Sequence, residues 1–130
     1  MASWNDLAAY VRSHYKVASE EPGMMKLVFE VAELRSQVVF LWSVTPTNSD
    51  EEWVQIESPI GQFSSIDVVR AVQEAGSILC GGIASVGDMV TFRHSVPLLN
   101  LNINEFERPL AVVTTMADRL EKLLTGRDDY

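Results

Sequence analysis

The sequence contains a single cysteine, Cys80, among 130 residues. One cysteine cannot form an intramolecular disulfide, so small disulfide-stabilised secreted folds are excluded and a reducing compartment is favoured. No unbroken hydrophobic run approaches the roughly 20 residues of a membrane-spanning helix, and the N-terminus lacks the basic and apolar regions of a secretion signal. We therefore expect a cytoplasmic protein that does not enter a membrane.

Basic residues are also scarce, since ten Lys and Arg stand against eighteen Asp and Glu, for a formal charge of −8. This sign is wrong for a surface that binds phosphate backbones, so neither nucleic acid nor an anionic membrane is an expected partner. Residues 20–57 hold eight acids and two bases, and therefore six of the eight excess charges. This segment is either a solubilising surface or a docking surface for a basic partner.

No residue spacing indicates a metal site or a local catalytic group. His14 and His94 lie far apart in the chain and neither has a spacing that would hold zinc together with Cys80. Arg93 and Ser95 flank His94 on a predicted strand, where adjacent side chains point to opposite faces and cannot form a nucleophile and base pair. His94 and Cys80 are interpreted as structural residues. We expect no metal, no cofactor and no enzymatic activity.

Three glycines in the second half of the chain, Gly81, Gly82 and Gly87, mimic part of a phosphate-binding loop. Such a loop requires Gly-Lys-Ser/Thr followed by a helix, whereas Gly87 is followed by Asp88 and a predicted strand. These glycines are therefore interpreted as turn or bulge positions.

The chain is long enough to bury roughly 68% of the surface that it exposes when unfolded, so it needs neither a disulfide nor a metal to fold. We predict one domain over residues 1–126 and a frayed C-terminal tail over residues 127–130.

Hydrophobic periodicity predicts the element order α-β-β-β-α-β-β-α, an α+β fold with an antiparallel sheet. A hairpin loop is expected at Glu33–Gln37, and Pro109 is expected to kink the last helix or split its first turn. The predicted helices are Trp4–His14, residues 65–75, and a helix from Asn102 or Asn104 to a stop at Gly126. The predicted strands are Lys26–Val31, Val38–Thr45, Glu52–Ser58, Ser77–Ile83 and Asp88–Val96, with the Val38–Thr45 strand covered on both faces.

One apolar surface of the predicted sheet has no obvious partner within the chain. If Leu27, Phe29, Phe40, Trp42, Val54 and Ile56 face the helices, the opposite face carries Val28, Val39, Leu41 and Trp53, with Glu30, Gln55 and Glu57 at its rim. Two interpretations stay open. Either a helix of the same chain covers these four residues, or they bind a second subunit or a protein client.

The second half of the chain resembles the YbjN family of bacterial sensory-transduction regulators, which have a type III secretion chaperone-like fold. The residues that carry the resemblance are Gly82, Gly87-Asp88-Met89-Val90-Thr91-Phe92-Arg93-His94, Val96-Pro97-Leu98 and the closing helix Asn104–Leu124. The resemblance implies a curved five-stranded antiparallel sheet flanked by helices, and frequent homodimers. In the secretion chaperones, dimers bind extended effector segments without cofactor or ATP. No catalytic residue is implied.

These observations favour a non-enzymatic, chaperone-like or regulatory module that binds a protein client or a second copy of itself through its apolar sheet surface. Two alternatives remain. One is a regulator that binds a small molecule, or an enzyme whose site is assembled from scattered side chains. The other is a structural subunit that uses the surface only to dimerise.

Overall fold

The computed structural model describes residues 3–32 and 34–130, which form three helices and six strands. The helices are α1 (Trp4–His14), α2 (Val68–Ala75) and α3 (Ile103–Thr125). The strands are β1 (Val17–Glu21), β2 (Met24–Ala32), β3 (Arg35–Val44), β4 (Trp53–Gln62), β5 (Gly82–Val86) and β6 (Met89–Pro97). Neighbouring strands are antiparallel, in the order β1-β2-β3-β4-β6-β5. The predicted α+β class with an antiparallel sheet is confirmed, but the prediction of five strands is wrong.

The strand that sequence analysis missed is β1, at the edge of the sheet. It pairs only with the first half of β2, where Val17 lies opposite Leu27. Only Val17 of this strand is partly buried, and the other four residues are exposed. Because one face of β1 lacks a hydrophobic side chain, its sequence shows no apolar and polar alternation. Its two glutamates are typical of an edge strand that resists pairing with other chains.

Several element ends differ from their predicted positions. Strand β4 continues past Pro59, where it was expected to end, because a bulge between Pro59 and Gly61 accommodates the missing proline N–H. Helix α2 begins at Val68, three residues later than expected, because Asp67 is its N-cap and accepts a hydrogen bond from the Arg70 N–H. Strand β5 begins at Gly82 and not at residue 77.

The hairpin between β2 and β3 is tighter than the predicted loop over residues 33–37. Arg35 already pairs with Ala32, so the residues from Arg35 onward belong to β3. Leu34 turns the chain with a φ of +60°. Glu33, which was also predicted in this loop, lies outside the described residues.

The first and last helices match their predicted ends closely. Helix α1 begins after Ser3, whose hydroxyl accepts a hydrogen bond from the Asp6 N–H. Helix α3 begins after Asn102, whose N–H donates to the Glu105 carboxylate at 3.0 Å, and it ends at Gly126 with a left-handed φ of +68°. Pro109 lies within this single helix, so the first turn is not split.

Helices α1 and α3 pack on the same face of the sheet. Their buried residues share one hydrophobic cluster with alternate residues of β2, β3, β4 and β6. Across this face the register aligns Met25 with Leu41, and Leu41 with Ile56. We call this side of the sheet the helix face. The largest fully buried hydrophobic side chains of the helices are Leu7, Phe106 and Leu120, and those of the sheet include Met25, Leu27, Leu41, Ile56, Ile60 and Phe92.

The last residues of the chain form hydrogen bonds to the body of the protein, and the frayed tail over residues 127–130 stays a prediction. The backbone N–H groups of Asp129 and Tyr130 donate to the Glu121 carboxylate at 2.7 and 3.1 Å, and the Asp128 carboxylate accepts from the Ser36 N–H at 3.1 Å. The sequence suggested fraying because the segment is short and polar. Its partners are buried or distant in the chain and only the fold brings them together.

Candidate functional site

The side of the sheet opposite the helix face is the candidate functional surface, and we call it the open face. Its central row aligns Lys26 with Phe40, Phe40 with Glu57, and Glu57 with Arg93. Helices α1 and α3 pack on the other side, and α2 contacts β5 and α3. Within residues 3–32 and 34–130, no helix covers the open face.

Two of the four residues predicted on this surface belong to the core. Val39 and Leu41 are 0% exposed and face α1 and α3, so their assignment to the partner-binding surface is wrong. Phe40 and Trp42, predicted to face the helices, lie on the open face and are partly buried. Strand β3 is apolar at both parities, so alternation alone could not select a face. The pairing of Val39 with Leu27 and Leu41 with Ile56 selects it.

The other two predicted residues, Val28 and Trp53, do lie on the open face. Val28 is 37% exposed and Trp53 is partly buried. Phe40 and Trp42 lie between them in the strand register and stack on each other, with ring centroids 5.6 Å apart and an interplanar angle of 21°. The prediction that β3 is covered on both faces is therefore wrong, because only its core side chains lie under helices. The role of Val28 and Trp53 in partner binding stays a prediction.

The rim of the open face is less acidic than the sequence suggested. Glu57 is only 7% exposed, and one of its oxygens accepts hydrogen bonds from Arg93 Nε and Nη2 at 2.9 and 2.6 Å and from Thr91 Oγ1 at 3.1 Å. Arg93 therefore compensates this charge. Gln55 is partly buried and Glu30 is exposed. The acidic rim is reduced to Glu30 on β2.

Lys26 and Glu30 stand two residues on either side of Val28 on the open face. Neither forms an ion pair with any residue that the structure describes. One strand thus presents a cation, an apolar side chain and an anion in a line. Lys26 and Glu30 are equally far from Val28 along the strand, so the two opposite charges are placed symmetrically about it.

A second group of polar residues lies on the helix face, where α1 meets α3. The Glu107 carboxylate accepts a hydrogen bond from Tyr10 Oη at 3.0 Å on one oxygen and from Tyr15 Oη at 2.8 Å on the other. Burial and the Glu107 carboxylate raise the pKa of both tyrosines, so both remain neutral donors at physiological pH. Glu107 is more than 90 positions from either tyrosine in the chain, and no sequence pattern joins it to them.

A third group surrounds Arg35 at the start of β3. Its guanidinium lies 2.9 Å from Asp118, 3.7 Å from Glu121 and 3.9 Å from Asp128. Glu121 is 0% exposed, and burial raises its pKa to about 6, with the nearby Asp128 charge adding to the effect. The burial of Glu121 could have been predicted from the sequence, because Glu121 follows the core residue Ala117 by four positions on the apolar stripe of α3.

Three carboxylates of this group, those of Asp118, Glu121 and Asp128, lie close enough together to hold a metal ion. They are the only such group among the residues with described positions. Their oxygens lie within 4.8 Å of one another. However, the Arg35 guanidinium already supplies a positive charge to the cluster, so its chemistry suits a structural ion network better than a metal centre. The prediction of no metal stays a prediction.

The residues interpreted as structural from the sequence are dispersed in the fold. His14 is exposed and stacks on Tyr10, with ring centroids 4.0 Å apart, whereas His94 lies opposite Ile56 on the helix face and is partly buried. Cys80 is partly buried before β5. Gly81 adopts a φ of +85°, and a Cβ there would lie 2.5 Å from the Phe92 ring, so this position requires glycine.

Compared with known proteins, the chain matches no protein-family model and no curated protein sequence. Among the described residues, no helix is long and apolar enough to span a membrane.

Proposed function

We propose that this protein is a non-catalytic protein-binding module whose open face packs against the open face of a second copy. The observation that carries this proposal is the line of Lys26, Val28 and Glu30 on β2, with a cation and an anion placed symmetrically about an apolar residue. A regulatory or chaperone-like role of the YbjN type and a cytoplasmic location are part of the same proposal.

The charge pattern favours a copy of the same chain because it is complementary to itself. In a twofold dimer, each partner presents the same patch to the other. If the twofold axis passes near Val28, Lys26 of one protomer faces Glu30 of its partner, and the reverse pair forms at the same time. Both charges lack a partner within the described part of the chain. An unrelated client would need no such symmetry.

The apolar part of the open face supplies the area that such an interface buries. Aromatic residues are enriched in the centres of protein interfaces, and here the register places Phe40 diagonal to Val28 and Trp53 diagonal to Trp42, the ring on which Phe40 stacks. The buried Nε1 of Trp42 has no hydrogen-bond partner among the described residues. This is unusual, because a buried indole N–H normally donates a hydrogen bond. A repacking of this ring against a partner is consistent with that feature.

The test is a charge reversal measured by size-exclusion chromatography with light scattering over a concentration series. We expect the unmodified chain to have a mass near twice 14.5 kDa. Lys26→Glu and Glu30→Lys should each weaken the dimer by tenfold or more, because each creates two like-charge contacts by symmetry. The double variant Lys26→Glu/Glu30→Lys should restore the dimer.

A matched control is Lys16→Glu, which makes the same charge change at an exposed position outside the open face and should leave the dimer intact. A monomeric unmodified chain at every concentration would overturn the proposal. A stable dimer that none of the open-face variants weakens would also overturn it, because the interface would then lie elsewhere.

A further inference from the structure

A groove on the helix face lies between the second half of β2 and helix α3, on the other side of the sheet from the open face. Its volume is about 430 Å³, within the range of small-molecule sites. We call it the β2–α3 groove. Its lining residues are Tyr15, Phe29, Glu30, Val31, Glu107, Leu110, Ala111, Thr114, Thr115 and Asp118.

The walls of this groove are largely apolar and include two aromatic rings. Phe29 and Val31 belong to β2, and Leu110 and Ala111 belong to α3. The ring of Tyr15 meets the ring of Phe29 edge to face, with centroids 5.8 Å apart. The groove therefore offers apolar area and aromatic faces, both of which attract an organic cation with a hydrocarbon body.

The α3 wall of the groove contains one carboxylate whose charge is not compensated. Glu107 accepts hydrogen bonds from the hydroxyls of Tyr10 and Tyr15, which are neutral donors. No Lys, Arg or His within residues 3–32 and 34–130 forms an ion pair with it. A carboxylate oxygen has lone pairs for more than one donor, so both oxygens of Glu107 keep acceptor capacity.

The other two acids of the groove differ from Glu107 in their surroundings. Asp118 is held by Arg35 through Nε and Nη2, both at 2.9 Å, so its charge is compensated. Glu30 is exposed at the rim and adds a second negative charge. Among the residues with described positions, none that lines the groove is basic. The electrostatic potential inside it is therefore negative, and its deepest uncompensated charge is Glu107.

We propose that the β2–α3 groove binds a small organic ammonium ion, with the ammonium group donating to Glu107 and the hydrocarbon part lying against Phe29, Val31 and Leu110. The two tyrosine hydroxyls fix the orientation of the carboxylate before the ligand arrives, which reduces the entropic cost of binding. This site shares only Glu30, at its rim, with the proposed dimer interface, whereas Glu107 and the apolar wall lie on the helix face.

The test compares three probes that share one hydrocarbon frame and differ in charge at pH 7: phenethylamine, 2-phenylethanol and 3-phenylpropionate. Binding is followed by chemical-shift changes in ¹H–¹⁵N spectra of the full chain. We expect phenethylamine to bind about tenfold or more tightly than 2-phenylethanol, as a charge-assisted hydrogen bond requires, and 3-phenylpropionate to bind least. The shifts should centre on Tyr15, Phe29 and Ala111.

The matched variants are Glu107→Gln and Glu51→Gln, which remove the same charge inside the groove and at an exposed loop position. Glu107→Gln should abolish the preference for phenethylamine over 2-phenylethanol, whereas Glu51→Gln should retain it. The comparison of the three probes on the unmodified chain does not depend on the folding of any variant.

Several results would overturn this assignment. They are the absence of phenethylamine binding at millimolar concentration, equal binding of all three probes, and shifts that centre outside the groove. A lysine side chain offers the same ammonium group, so acetyl-Val-Lys-Val-amide serves as the competing probe. If this peptide binds at the groove more than tenfold tighter than phenethylamine, the occupant is a protein segment and the small-amine proposal is wrong.

Discussion

The two faces of the sheet are built from the same strands but differ in what covers them. Val39 and Leu41 of β3 are 0% exposed under α1 and α3, whereas their neighbours Phe40 and Trp42 are only partly buried on the open face. On β3, Phe40 and Trp42 of the open face are as hydrophobic as Val39 and Leu41 of the core. Hydrophobicity alone therefore does not tell which side of a strand is core, and the position of the helices decides it.

Each face also has one arginine that pairs with acidic side chains. The two arginines differ in how much of the side chain is exposed to solvent. On the helix face, Arg35 is 14% exposed and lies near three carboxylates. On the open face, Arg93 is 32% exposed and contacts one carboxylate, Glu57. The Arg35 guanidinium is thus less accessible to water than that of Arg93, although the Glu57 side chain is itself only 10% exposed.

The largest effect on stability is expected from a substitution on the core side of β3. Leu41→Ala should lower the free energy of unfolding by about 2–5 kcal/mol, because it leaves a cavity under the helices. Phe40→Ala should cost about half as much or less in the monomer, because the side chain is partly solvated. Urea denaturation at low protein concentration measures both. Equal losses would show that the open face is as well covered as the core.

The next effect concerns association. Trp53→Glu places a charge in the proposed interface and should convert the dimer to a monomer in light scattering, with unchanged far-UV circular dichroism. The control Val69→Glu adds the same charge at an apolar side chain of α2 that is 68% exposed, and should keep the dimer. If Trp53→Glu loses its near-UV and far-UV signals together, Trp53 belongs to the core and the open face is wrongly assigned.

A third effect is the pH dependence of the helix-face cluster. Burial raises the pKa of Glu121 from 4.5 to about 6, so the folded state binds this proton more tightly than the unfolded chain does. Glu121 therefore stabilises the fold most below pH 4.5, and this contribution is lost as the pH rises through about 6.

The variant Glu121→Gln removes this titration. Relative to the unmodified chain, its free energy of unfolding should rise by about 1–2 kcal/mol between pH 4.5 and pH 7, as a pKa shift of this size implies. Urea denaturation across this pH range measures the difference, and Glu51→Gln serves as an exposed control. An unchanged difference between the two chains across the range would mean that Glu121 does not titrate there.

The smallest effect compares the two arginines. Arg35→Lys should cost about 1–2 kcal/mol, because lysine loses the Nε hydrogen bond to Asp118 and the planar guanidinium that lies between the three carboxylates. Arg93→Lys should cost less than about 1 kcal/mol, because the Arg93 side chain is 32% exposed and water replaces part of its contact with Glu57. Thermal or urea denaturation of both variants tests this order, and the reverse order would contradict the proposed difference between the faces.

The sequence predicted most of the elements but few of the contacts between them. Helix α1 was predicted in full, since Ser3 supplies an N-cap and Leu7, Ala8 and Val11 recur at helical spacing. Strand β1 was missed because four of its five residues are exposed. Of the candidate surface, Val28 and Trp53 were placed on the correct face, but Val39 and Leu41 were not. Glu107 and its tyrosines had no local signal.

The sequence by itself determined the class of the fold. The apolar and polar alternation of β2 and β4 and the apolar stripes of α1 and α3 are local patterns, which can be recognised within each segment without knowledge of its neighbours. Only the tertiary structure decided which side of β3 is core, which charges are compensated, and where the tail docks. These outcomes depend on strand register and on side chains more than 80 residues apart, such as Arg35 and Asp118. Local periodicity contains no information about such pairs, since each partner has the same local pattern whether or not the other is near it.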